Sequence, residues 1–133
     1  MSDYSEKMLD EIWAKGRKAG SLNPREYRLD AADALMKRSL YGKEGNLGWE
    51  VDHIYPKEKL KASKIPEDRW DDMINLRPMN AKNNVAKGED YPTYKVAVQY
   101  DAKSGVNKEV VGESRIVDSR VQATIASTYA AWL

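Results

Sequence analysis

The chain has 133 residues, 41% of them apolar and 32% charged, with a net charge of +1 and no cysteine. That length fits a single domain (1–133) able to bury a real core, and the composition is that of a soluble globular protein. No run approaches the roughly eighteen apolar residues of a membrane span, and the N-terminus lacks a basic-then-apolar signal pattern, so no membrane partner is expected. Without cysteine there is neither a disulfide framework nor a zinc knuckle, which fits a cytoplasmic protein. Phe is absent too, so four Trp, eight Tyr and the aliphatics must fill the core. The small net charge gives a nucleic-acid partner little support, although residues 57–87 hold eight Lys/Arg against five acids.

Residues 3–18 read as a helix capped by Ser2 or Ser5, with Met8, Leu9, Ile12 and Trp13 on one face. Asn23-Pro24-Arg25-Glu26 starts a second one: an Asn cap, Pro at the first helical position, and a face of Tyr27, Ala31, Ala34 and Leu35 running toward Tyr41-Gly42. Turn chemistry follows over 43–48, then alternation from Trp49 to Ile54 predicts a strand that Pro56 ends. Residues 57–74 read as a long charged connection with a helical turn near Pro66–Trp70, and a loop of that length is commonly functional. Leu76–Met79 is a short strand with Pro78 marking an edge. Asn80 then caps a helix that runs through Lys87 and closes at Gly88. Beyond it, 94–100 alternates as a strand that pairs with 108–111. Ile116–Trp132 is a final helix with a stripe of Val117, Val121, Ile125, Tyr129 and Trp132, read as core or a docking face. The expected fold class is α+β: two N-terminal helices, a strand–strand–helix unit over 48–88, and an extension over 93–133 made of a hairpin and a helix.

His53 is the only histidine, and it directly follows Asp52 at a strand end. Alone, such a histidine is more often structural. Its surroundings point further, because the second strand begins at Asn75 and the helix after it carries Asn84 and Lys87. Hydrolysis of a phosphodiester needs a base to deprotonate water, and neutral imidazole, with an ordinary pKa of about 6.5, suits that near neutrality. It also needs a cation to balance charge on the phosphorus and the leaving oxygen. Magnesium prefers oxygen ligands and keeps several waters, so one carboxylate and one amide oxygen suffice, and Asp52 and Asn84 are the candidates. Adjacent strand residues point to opposite faces, so convergence of Asp52 with His53 requires a bend before Pro56.

Val51-Asp52-His53-Ile54-x-Pro56, Asn75-Leu76-Arg77-Pro78 and Asn84-x-x-Lys87-Gly88 together resemble the HNH (ββα-metal, or His-Me finger) endonuclease motif in its H-N-N form. The stretch from Tyr27-Arg28-x-Asp30 to Gly48-Trp49-Glu50 is similar to the region preceding the motif in small phage and bacterial HNH proteins. The resemblance covers roughly residues 24–92, about half the chain. It implies a metal-dependent DNA endonuclease leaving 5′-phosphate and 3′-hydroxyl ends, with His53 as general base and Asp52 and Asn84 as ligands of a divalent metal, Mg2+ or else Mn2+. It also implies that Asn75 orients His53 or ties down the loop, and that Lys87, Arg77 and Lys82 contact nucleic acid. Two departures stand out: there are no paired zinc-binding cysteines, hence no structural zinc, and Lys-Ala-Ser-Lys-Ile-Pro replaces the common Gly-Gly turn. The alternatives are a catalytically weak or inactive nucleic-acid-binding module of the same fold, and a helical interaction domain in which His53 is buried and the asparagines are caps.

Overall fold

A computed structural model describes residues 4–133 as a mixed α+β fold with four α-helices and small antiparallel sheets. Helix α1 (Glu6–Trp13) starts where Ser5 accepts a hydrogen bond from the Met8 amide, and it buries Leu9, Ile12 and Trp13. It is shorter than the helix expected over 3–18, because the chain turns at Lys15 and Gly16 into strand β1 (Arg17–Lys18). Ser2, the other candidate cap, lies outside the described residues.

The second N-terminal helix does not form. Strands β2 (Tyr27–Leu29) and β3 (Leu35–Lys37) pair instead, in a three-stranded sheet of order β1-β2-β3. Asp30 is the cause: its carboxylate accepts hydrogen bonds from the amides of Ala32 and Ala34, both at 2.9 Å, and Asp33 takes a left-handed φ of 70°. A short acidic side chain that captures nearby N–H groups offers the backbone a turn in place of a helix.

Strands β4 (Trp49–His53) and β5 (Leu76–Asn80) form an antiparallel ribbon, with Trp49 opposite Asn80 and His53 opposite Leu76. Gly48 must precede β4, since a Cβ there would lie 1.9 Å from the Lys43 carbonyl oxygen. The connection between the strands is more ordered than expected. It contains α2 (Lys57–Ala62) and two 3₁₀ turns, Glu67–Arg69 and Met73–Asn75. Directly after β5 comes α3 (Ala81–Lys87), begun by the Asn80 side chain accepting from the Lys82 amide at 2.9 Å and ended by Gly88 at a φ of 52°.

The C-terminal part comprises β6 (Thr93–Lys95), β7 (Val98–Asp101), β8 (Val106–Glu109), β9 (Ser114–Ile116) and α4 (Ser119–Thr128). The expected hairpin is β7–β8, but the strand read over 94–100 splits in two, and β6 pairs with β9. Asn83 explains the split. Its side-chain oxygen accepts from the amides of both Ala97 and Val98 at 2.9 Å, and its amide donates to the Val98 carbonyl at 3.0 Å. Helix α4 begins after the expected Ile116, which β9 uses, at the Asp118 cap. A second clasp is Asn107 of β8, which accepts from the Leu35 amide and donates to the Leu35 and Asn46 carbonyls.

The β4–β5 ribbon separates two apolar clusters, as strand alternation requires. Trp49 and Leu76 pack with Leu9, Ile12, Trp13 and Met36 beneath α1. Ile54 and Met79 join Leu60, Ile65, Tyr94, Val117, Ile125 and Tyr129 on the other side. The α4 stripe is therefore core. The ring of Trp49 lies 5.1 Å from that of Trp13 and 4.9 Å from that of Tyr41, contacts worth about 0.5–1.5 kcal/mol each beyond their burial.

Candidate active site

The β4–β5–α3 unit brings Asp52, His53 and Asn84 to one open cleft of about 310 Å³, lined also by Val51, Pro56, Lys57, Glu58, Gly88 and Glu89. Three consecutive residues of β4 line it, so the cleft follows the strand edge that β5 leaves unpaired. A larger groove of about 990 Å³ runs along α4 and is mainly apolar, touching Arg77 and Tyr94 but not His53.

The bend expected before Pro56 comes too late to join Asp52 to His53. Both stay in register with β5, and the ladder continues one residue further through the Ile54 amide to the Asn75 carbonyl at 2.8 Å. The two side chains accordingly leave the ribbon on opposite faces. Asp52, 4% exposed, turns inward: its Oδ1 lies 3.2 Å from Lys87 Nζ and its Oδ2 accepts from Arg77 Nε at 2.9 Å. Lys87 also donates to the His53 carbonyl at 3.2 Å. Arg77 stacks over the Tyr94 ring at 5.1 Å, and its Nη2 is buried with no hydrogen-bond partner. Burial pulls the Lys87 pKa down, with the Asp52 carboxylate opposing; Arg77, despite its own burial, is held up by Asp52 and Tyr94.

Lys87 and Arg77 were expected to meet phosphate. The structure instead turns both inward to Asp52, because two cations on the strand and helix flanking a buried carboxylate neutralise it. Lys82, on the exposed face of α3, is the one of the three that faces solvent. The same pairing bears on the metal. Both Asp52 oxygens already carry a cation. As these side chains stand, Asp52 is not free to ligate a divalent ion, while Asn84 still lines the cleft.

His53 leaves the opposite face, where its Nε2 lies 2.7 Å from Asp71 Oδ1, and the same oxygen accepts from the Tyr4 hydroxyl at 3.0 Å. Burial lowers the His53 pKa, opposed by the Asp71 hydrogen bond, which shifts the balance toward the neutral ring. Asn75, fully buried, does not orient the ring. Its side chain accepts from the Tyr55 amide at 2.7 Å and donates to the Tyr55 carbonyl at 3.1 Å, which pins the chain just past His53. Of the two roles expected for it, this geometry serves the tying of the loop.

Arg28 and Asp30 lie away from the cleft. Arg28 donates to the carbonyls of Pro24 and Gly16. Asp30, 1% exposed, accepts from the Asn80 amide at 3.1 Å and from Asn83 at 3.2 Å as well as from Ala32 and Ala34. Burial raises its pKa against the pull of those four N–H groups. Asn80 and Asn83 are thus structural, and Asn84, half-buried on the cleft, is the asparagine left for chemistry.

Asp71 was not singled out from the sequence. It lies 18 residues from His53, inside the charged connection, and its signal there is a pair of acids, Asp71-Asp72, shortly before Asn75. Compared with models of protein families, with curated proteins and with solved structures, the chain matches none.

Proposed function

We propose that this chain is an endonuclease that hydrolyses phosphodiester bonds of DNA, with His53 as the base that activates water. The observation that carries the reading is the cleft itself. His53 and Asn84 both line the cleft beside the strand–strand–helix unit, and Lys57 and Lys82 are exposed on α2 and α3. The order of elements and the spacing of Asp52-His53, Asn75 and Asn84 are those of the HNH motif the sequence resembles. The unit is accordingly read as a ββα-metal finger, in an α+β setting whose second N-terminal element is a hairpin.

The resemblance also brings a divalent ion, Mg2+ or Mn2+, as a condition of activity. Asp52, engaged by Lys87 and Arg77, would have to leave those ion pairs to hold it. The same ion pairs favour a second reading, a nucleic-acid-binding module of this fold without turnover, because a carboxylate locked by two buried cations is no longer a ready ligand.

Plasmid cleavage with Mg2+ or Mn2+, and with a chelator, separates the two. Wild type is expected to cut and His53→Ala to lose about 10²–10⁴ in rate, the usual contribution of a positioned base. Equal cutting by both proteins sinks the base assignment. Binding of DNA with no cutting under any condition selects the module.

A further inference from the structure

The contact between His53 and Asp71 decides which ring nitrogen can act. A carboxylate only accepts hydrogen bonds, so at 2.7 Å from Asp71 Oδ1 the Nε2 of a neutral ring must carry the proton. The lone pair then sits on Nδ1. The Tyr4 hydroxyl, donating to the same carboxylate oxygen from ahead of α1, adds a second restraint on Asp71.

The backbone around Asp71 is fixed on both sides. Before it, the Trp70 indole donates to the Ile65 carbonyl at 2.7 Å and the Tyr129 hydroxyl donates to the Arg69 carbonyl at 2.8 Å. After it, Asp72 caps the 3₁₀ turn through the Ile74 amide, and Asn75 is locked to Tyr55. The carboxylate is therefore presented from a pinned segment, and its side chain is 35% exposed where that of His53 is 10% exposed.

We propose that Asp71 is a positioning residue that holds His53 as the Nε2–H tautomer, making Nδ1 the nitrogen that takes a proton from water. This rests on the nuclease reading of His53. In the step itself water gives its proton to Nδ1 and its oxygen bonds to phosphorus. The bond from phosphorus to the 3′ oxygen breaks with its electron pair on that oxygen, which takes a proton from solvent. The resulting imidazolium keeps its Nε2–H on the Asp71 carboxylate, which stabilises the charge formed.

His53 is the only histidine, so ¹⁵N-histidine labelling reports a single imidazole. At a pH where the ring is neutral, wild type should show a protonated Nε2 and an unprotonated Nδ1. Asp71→Ala should lose that preference, and Asp71→Asn, which keeps an acceptor oxygen, should retain most of it. In cleavage assays Asp71→Ala should lower kcat about tenfold or more, less than loss of the base, with KM little changed and partial rescue in Asp71→Asn. A wild-type ring protonated on Nδ1, or the same tautomer in Asp71→Ala, overturns the assignment whether or not the protein cuts DNA. A tautomer shift in a protein that cuts no nucleic acid upholds the role of Asp71 in holding the ring and overturns the nuclease reading alone.

Discussion

The ammonium of Lys87 lies 3.2 Å from Oδ1 of Asp52, and no part of the lysine side chain reaches solvent. With Arg77 on the other oxygen, the cluster carries two positive charges against one negative in the interior. Removing the carboxylate strands both cations, a change that typically costs about 3–5 kcal/mol. Asp52→Ala should therefore lower the urea midpoint sharply, and a loss below about 1 kcal/mol would show the cluster to be exposed in solution. Lost cleavage in that variant says nothing of a metal unless folding is measured alongside.

Asn83 and Asn84 are neighbours with opposite expectations. Asn83→Ala abandons bonds to Asp30, Ala97 and Val98 and should destabilise by roughly 1–3 kcal/mol for each buried group left unpaired. Asn84→Ala, on the half-buried side, should stay within about 0.5 kcal/mol of wild type. Metal titration by calorimetry then tests the ligand role of Asn84 on a folded protein: unchanged Mg2+ or Mn2+ affinity removes it from the site.

Asn75→Ala leaves the Tyr55 amide and carbonyl without their partner, at about 1–3 kcal/mol for each that stays dry. Asn75→Asp keeps the acceptor for the amide but sets an oxygen against the Tyr55 carbonyl. Denaturation curves should rank wild type above both variants. Amide exchange at Tyr55 should rise in Asn75→Ala, and protection equal to wild type would deny Asn75 its role at the strand end.

The folded-state pKa of His53 lies below its ordinary value of about 6.5, chiefly through burial. Between the two values the unfolded chain binds the proton more tightly, so the His53 contribution is whole above about pH 6.5 and is lost as pH falls through that window. The stability difference between wild type and His53→Gln should accordingly change in favour of the variant on acidification. A pH-independent difference between pH 7.5 and 5.5 contradicts the depressed pKa.

The elements around the cleft were legible because their signals are local. Alternation marks β4, and α3 is bounded by local signals, the Asn80 side-chain cap at its start and Gly88 at its end. The pairing of Asp52 with Arg77 was within reach as well, since the two stand directly across from each other once the strands are in register. What the sequence hid is long-range. Asn23-Pro24-x-Glu26 is a sound helix start, overruled by Asp30 drawing the next amides into a turn. Asp71 reaches His53 only through the folded connection, and the break between β6 and β7 exists because a helix residue claims that backbone.

The two asparagine clasps have a practical consequence for anyone wishing to shorten the chain. Asn83 of α3 is satisfied by the segment at 97–98, and Leu35 of β3 gives both its backbone groups to Asn107. A fragment ending near residue 92 would keep every cleft residue yet expose those groups and the apolar seat of α4. The minimal unit able to carry the chemistry is therefore larger than the stretch that bears the motif, and transplanting residues 48–88 onto another scaffold would require substitutes for both clasps.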